Sequence, residues 1–252
     1  MTEQRYRAPA LDKGLDILEL LAVCPRGLTR SEIVKELGKS PSEIYRMLER
    51  LVARNYVSRS FEGDRYALTM KLFHLAASYP PLHRLVMNAQ PLMDEFAKTS
   101  RQSVHLVIED MAQAHVVAHA SSPAVWEFRL RVGAVLDLLH TGSGLTLLAF
   151  MQGECAAQLL AAPPYGLKNI PPDITRDFAE IREKGYHVRA SKQLVGVTDI
   201  SVPIHSSNDE VVAVLTCPFL PHIAPPGDPD ETIDVAGVVD LLRKAAAQIS
   251  KP

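Results

Sequence analysis

Apolar and polar positions follow two periods along the chain, and their changes mark the elements. From Leu11 the apolar residues Leu11, Leu15, Leu18, Leu21 and Ala22 recur at helical spacing until the turn Cys24-Pro25-Arg26-Gly27 stops them. Thr29 and Glu32 then form a capping box ahead of a short helix whose apolar side is Ile33, Val34 and Leu37, ended by Gly38. A third helix begins at Ser40, a capping residue followed by Pro41 at the first helical position and Glu43 at the capping-box position. Its apolar stripe is Ile44, Leu48, Leu51 and Val52, and its other side carries Ser42, Tyr45, Arg46 and Glu49. Asn55 occupies the position of a left-handed cap. Period-two stretches at 56–61 and 65–68, around the turn Glu62-Gly63-Asp64, predict a hairpin. Three helices, the last two joined by a short turn, and a two-stranded wing make a winged helix-turn-helix.

The pattern then changes. A helix is predicted over 70–77, the pair Pro80-Pro81 interrupts it, and Leu82, Leu85, Val86, Ala89, Leu92, Met93 and Phe96 define an amphipathic helix with Pro91 as a place to bend. Strands are predicted at 103–108, 114–119 and 128–132, then a loop over 136–144 leading into a helix from Leu145. Further helices follow at 154–161 and 174–184, strands at 185–188, 198–204 and 211–217, and a last helix at 229–249. The expected architecture is α+β, with domains at 1–69 and 81–252 joined by a linker helix at 70–80.

Composition sharpens this picture in three ways. The 252 residues are 47% hydrophobic, enough for a core in each part. No apolar run approaches the ~20 residues that cross a membrane, and residues 1–7 lack the apolar stretch of a signal peptide, so the cytoplasm is the expected compartment. Cys24, Cys155 and Cys217 form no CxxC pair and are expected as reduced thiols. The net charge is only −2, but residues 1–79 carry 13 Lys/Arg against 10 Asp/Glu and residues 80–252 carry 14 against 19. Local positive charge is what phosphate neutralisation needs. Arg5, Arg7 and Lys13 lie in or beside an N-terminal arm that either reaches a DNA backbone or is a frayed terminus.

Taken alone, the polar face of the third helix is equally an ordinary solvated surface. Set between a tight turn and a wing, it becomes a recognition helix for double-stranded DNA. The candidate contacts are Lys39, Ser42, Tyr45, Arg46 and Arg50, with Arg59 and Arg65 beside the wing tip. Glu49 repels phosphate unless it accepts from a cytosine amino group or pairs with a neighbouring cation.

The run from Lys39 through Leu48 and the wing ending Arg65-Tyr66-Ala67-Leu68 resemble the IclR family of bacterial transcription regulators. A second set of motifs falls in the same order as in that family's GAF-like effector domain. It comprises Arg131-Val132-Gly133-Ala134-Val135-Leu136, Thr141-Gly142-Ser143-Gly144 with Leu147-Leu148-Ala149-Phe150, Gly185-Tyr186, the stretch from Gly196 to Ile204, and the stretch from Val212 to Thr216. The resemblance covers about residues 9 to 249. It implies a homodimer or tetramer that reads DNA and binds a small effector, often a carboxylate, at Leu136, Thr141, Gly142, Ser143, Asp199 and Thr216. Two departures bear on the effector's identity: Leu145-Thr146 stands where the family commonly has a Lys or Arg and then a small residue, and Leu139-His140 replaces the common His-Ala.

The chemistry of these residues agrees with that expectation. Free amides ahead of a helix attract an anion, and glycines let a ligand approach the backbone; the plain alternative is that Gly142 and Gly144 only make a turn. Asp199 lies in an apolar run and, if buried, must be paired, hydrogen-bonded or protonated. His105, His119 and His140 raise a metal site with Asp199, although their spacing matches no ligand motif. An enzyme using Asp199 and a histidine is the other class. No GxSxG, HExxH, Walker loop or CxxC is present, so no catalytic residue and no cofactor is expected.

Overall fold

Side chains that reach back across a helix start fix the N-terminal unit. In the computed structural model, which describes residues 8–60, 64–125, 127–161, 169–221 and 233–250, the Thr29 hydroxyl accepts from the Glu32 amide at 3.3 Å while the Glu32 carboxylate accepts from the Thr29 amide at 2.7 Å. This starts α2 (Arg30–Leu37) after α1 (Pro9–Ala22) and β1 (Leu28–Thr29). Glu43 likewise accepts from the Ser40 amide at 3.2 Å and from its hydroxyl at 2.6 Å, starting α3 (Pro41–Ala53). The same carboxylate pairs with Lys13 of α1, and that contact lowers the Glu43 carboxyl to about 2. Asn55 adopts the left-handed conformation after the cap, at φ 58°.

The wing is β2 (Val57–Arg59) against β3 (Arg65–Leu68), with β1 as a third strand on β3 that the sequence pattern did not suggest. Of the wing turn, Asp64 is described; Glu62 and Gly63 lie outside the described residues. Ile17, Leu21, Ile33, Ile44, Leu48, Val57 and Tyr66 form the core. One expectation changes here: α1 turns Ile17 and Leu21 inward and leaves Leu11 and Leu15 61% and 46% exposed. With three neighbours to pack against, α1 buries only the side of its C-terminal half that meets α2 and α3.

Helix α4 (Lys71–Ala77) follows, tied back to the end of α3 by Lys71 Nζ on the Arg54 carbonyl at 2.8 Å. Pro80 and Pro81 do not merely interrupt; they open α5 (Pro80–Ser100), where a first turn lacks amide partners anyway, and Pro91 lies inside that helix. The chain divides into two units, Met1–His83 and Arg84–Pro252.

The second unit is a six-stranded antiparallel sheet in the order β6-β5-β4-β9-β8-β7. Its strands are β4 (Val104–Asp110), β5 (Gln113–Ala120), β6 (Val135–Leu136), β7 (His187–Ala190), β8 (Thr198–His205) and β9 (Val211–Phe219). One face is covered by α5 and α9 (Val235–Ile249), with Leu106, Ile200, Leu215 and Leu242 in the core between them. The other face carries α6 (Gly142–Phe150) and α8 (Ile174–Lys184); α7 (Gly153–Ala161) follows α6 in sequence. Cys217 is buried on the first face, where burial holds its thiol above the usual range.

Three expectations are corrected. The strand expected at 128–132 does not form; Phe128 and Leu130 wall a cavity instead, and the chain joins β5 only where the Gly133 amide meets the Val116 carbonyl at 2.8 Å. The loop expected over 136–144 is shorter, because α6 starts at Gly142. The last helix starts at Val235, capped by Asp234 on the Gly237 amide at 2.8 Å; the first residues expected in it lie outside the described residues.

Leu48 is fully buried, so Leu48→Ala should cost the N-terminal unit about 2–5 kcal/mol. Exposed Arg46→Ala should change stability by less than ~0.5 kcal/mol. Urea denaturation followed by circular dichroism checks both values.

Candidate effector site and DNA-reading face

The candidate effector site is built on the first turn of α6. Thr141 caps it: its hydroxyl accepts from the Gly144 amide at 3.1 Å and donates to the Asp137 carbonyl at 2.6 Å. Asp137 shapes the preceding turn by accepting from the Leu139 and His140 amides at 2.6 and 2.9 Å. The Gly142 and Ser143 amides have no partner among the described residues. A Cβ on Gly144 would meet Leu138 Cα at 2.4 Å, and one on Gly142 would meet Asp199 Cβ at 2.9 Å. Only glycine lets the helix start press this closely on the preceding turn at Gly144 and on the sheet at Gly142.

Under that turn, strand register assembles a row of polar side chains. His119, His105, Thr216, Ser201 and His187 are successive cross-strand partners on β5, β4, β9, β8 and β7. Thr216 Oγ1 lies 2.8 Å from the Ser143 hydroxyl and 2.9 Å from the Ser201 hydroxyl. The imidazoles are less well provided. His105 Nδ1, His119 Nδ1 and both His187 nitrogens are buried with no hydrogen-bond partner among the described residues. Burial pushes His105 down to about 3 and His187 down to about 4, so both are neutral near pH 7.

All six expected effector residues line one cavity here: Leu136, Thr141, Gly142, Ser143, Asp199 and Thr216. His105, Phe128, Leu130, Gln193, Leu194 and Val197 complete most of its wall. Its free volume is about 30 Å³, room for roughly two waters. Burial raises the Asp199 carboxyl, and a hydrogen bond from Ser191 opposes that shift. His187 and Ser201 were not among the expected residues; the signal for Ser201 was a hydroxyl between Ile200 and Val202, where an apolar residue would pack. Among the described residues no group of three or more His, Cys, Asp or Glu converges as a metal site. His140 faces Asp137 at 3.0 Å rather than joining His105 and His119.

On α3, Ser42, Tyr45, Arg46, Glu49 and Arg50 are exposed, as is Lys39 just before it. The side chains of Lys39, Arg46 and Arg50 make no ion pair among the described residues. Arg30, absent from the expected set, stacks over Tyr45 at 5.5 Å. Arg59 and Arg65 hold the wing together. Arg59 pairs with Asp64 at 2.5 Å, and Arg65 donates to the Gly27 carbonyl at 2.9 Å and lies 3.4 Å from Glu32. Arg5 and Arg7 lie outside the described residues.

Residues 81–251 match the bacterial transcriptional regulator IclR C-terminal family, and residues 10–60 match the IclR helix-turn-helix domain. The chain belongs to the IclR family. It is a transcriptional regulator with a DNA-binding helix-turn-helix and an effector domain. It is 27% identical to the transcriptional regulator KdgR of Escherichia coli over 75% of this chain and 74% of that one. It is also 27% identical to the glycerol operon regulatory protein of Streptomyces coelicolor, over 78% of each. An IclR homolog of Microbacterium hydrocarbonoxydans, solved as a complex with 4-hydroxybenzoate, shares the fold with a TM-score of 0.74 at 24% identity over 96% of this chain and 97% of that one. Among the described residues no helix of this regulator is long and apolar enough to cross a membrane.

The buried imidazoles give the effector domain a pH dependence. His105 and His187 stay neutral when folded and take a proton near 6.5 when unfolded, so the unfolded chain binds more protons between those values. Their contribution is fully present above pH 6.5 and is lost as pH falls towards about 4 and then 3. Thermal unfolding between about pH 7.5 and 5.5 should therefore show a steeper fall in midpoint for the wild type than for His105→Gln/His187→Gln.

Proposed function

We propose that this regulator docks α3 in the major groove of its operator and that a small carboxylate-bearing molecule binds at the first turn of α6 and alters that docking. The observation that supports this most is the convergence of Thr141, Gly142, Ser143, Asp199 and Thr216 on one cavity beside the unpartnered Gly142 and Ser143 amides. Helix-start amides favour an anion, and Leu136, Phe128 and Leu194 provide an apolar wall for its body. The related fold that holds 4-hydroxybenzoate agrees in ligand chemistry. A molecule of that size exceeds the present cavity, so binding parts the wall at Gln193, Leu194 and Val197.

On the DNA side, Arg46 and Arg50 are exposed cations on the reading face, and Tyr45 is fixed under Arg30. Ser42 and Lys39 contact backbone at the helix start, and Arg59 and Arg65 brace the wing with any phosphate contact made from there. The regulator pairs with a second copy through the apolar side chains that α1 and α4 leave exposed, among them Leu11, Leu15 and Phe73.

Two measurements check these roles. Arg46→Ala should weaken operator binding by about 1–3 kcal/mol while folding normally, and Tyr45→Ala should weaken it too; equal affinity in gel-shift titrations would remove α3 from the interface. A thermal-shift screen of small carboxylates and aromatic acids should yield a binder that changes operator affinity and is recovered unchanged. A screen in which only neutral or cationic compounds stabilise the protein would reject the carboxylate.

A further inference from the structure

The effector cavity is unusual for an anion site in what it lacks. No lysine or arginine is among the described residues that line it, and its one acid, Asp199, sits against the turn that offers the amides. The cross-strand cation, Arg189 on β7, is engaged with Asp177 at 2.9 Å and Glu180 at 2.8 Å, both on α8. Among the described residues no cation acts on Asp199: Arg129, between the wall residues Phe128 and Leu130, acts on His119 instead. Helix α6 has no ionisable side chain, Lys192 beyond β7 is exposed, and Cys217 is buried on the opposite face of the sheet. His105 lines the cavity at 3% exposure with Nδ1 unpartnered, which independently marks the place as one made for a ligand's polar group. His187 packs beneath Gly142, its Nδ1 3.0 Å from where a Cβ would stand.

Two carboxylates that share a site of this kind cannot both stay ionised without a cation between them. We infer that the effector is a monocarboxylic acid with an apolar body and that it enters together with one proton, carried by Asp199, whose carboxyl then donates to the effector's carboxylate. This rests on the carboxylate reading above and adds its regulation. Burial has already moved the Asp199 carboxyl upward, the direction that makes such protonation easier, while the neutral imidazoles of His105 and His187 are poor competitors for the proton. The consequence is a sensor tuned to an acid in mildly acidic conditions, one that discriminates against dicarboxylates because a second negative charge finds no partner.

The test is isothermal titration of the full chain with benzoate, 4-hydroxybenzoate and hexanoate, repeated in buffers of different ionisation enthalpy and at several pH values. The expected result is uptake of about one proton per bound acid and a Kd that rises about tenfold per pH unit above the pKa of free Asp199. Asp199→Asn should bind the same acids with a Kd that is flat over that range. Binding without proton uptake in the wild type overturns the inference and leaves the carboxylate reading standing, and this arm needs no variant to fold. If none of the acids binds a chain that still unfolds cooperatively, both fall.

Discussion

The effector domain depends on a close approach: the first turn of α6 presses, without a side chain of its own, on the sheet residues Asp199, His187 and Ser201 at Gly142 and on the Leu138 backbone of the preceding turn at Gly144. A methyl group at either place would push the helix start away from Leu138 or from Asp199 and separate the Ser143 hydroxyl from Thr216. Everything that gives this domain its chemistry follows from that contact. It brings two unpartnered amides over a row of hydroxyls and imidazoles and closes that row from water. It also leaves a cavity with a free volume of about 30 Å³. Buried polar groups without partners are costly, and the proposed effector would offset that cost.

The N-terminal unit solves a different problem, which is how to hold several cations on a small surface without neutralising all of them. Lys13, Arg59 and Arg65 are committed to Glu43, Asp64, Gly27 and Glu32, and these contacts brace α1 against α3 and the wing against the start of α2. Exposed ion pairs of this sort contribute little stability each, so their main effect is geometric. Among the described residues Lys39, just before α3, and Arg46 and Arg50 on its exposed side have no ion-pair partner, while the other side of the helix is pinned by Ile44 and Leu48. Arg30 belongs with the reading face because its guanidinium covers the Tyr45 ring.

Much of this was legible in the residues. Capping boxes at Thr29 and Ser40, Pro41 at a helix start and Asn55 after one depend on neighbours three or four places away, and such local chemistry survives without the fold. The start of α6 did not, since glycines normally argue against a helix and Gly142 and Gly144 are explained only by the sheet under the first and the Leu138 backbone beside the second. The alternation of Phe128, Leu130 and Val132 imitates a strand because Phe128 and Leu130 face the cavity, though Val132 is exposed and none of the three lies in a strand. Leu11 and Leu15 keep helical spacing yet stay exposed, because spacing marks a face and not what covers it. His187 was out of reach and Ser201 showed only as a hydroxyl in an apolar run: their place in one row with Thr216 is set by register across β7, β8 and β9, which no single strand encodes.

The central claim is that the unpartnered amides at the start of α6 receive the effector. Amide chemical-shift mapping of the isotopically labelled protein during titration with an acid that stabilises it tests this most directly. The account predicts that the Gly142 and Ser143 amides move first and furthest, with Thr216 following. Shifts centred elsewhere in the domain, with those two amides unmoved at saturation, would contradict it.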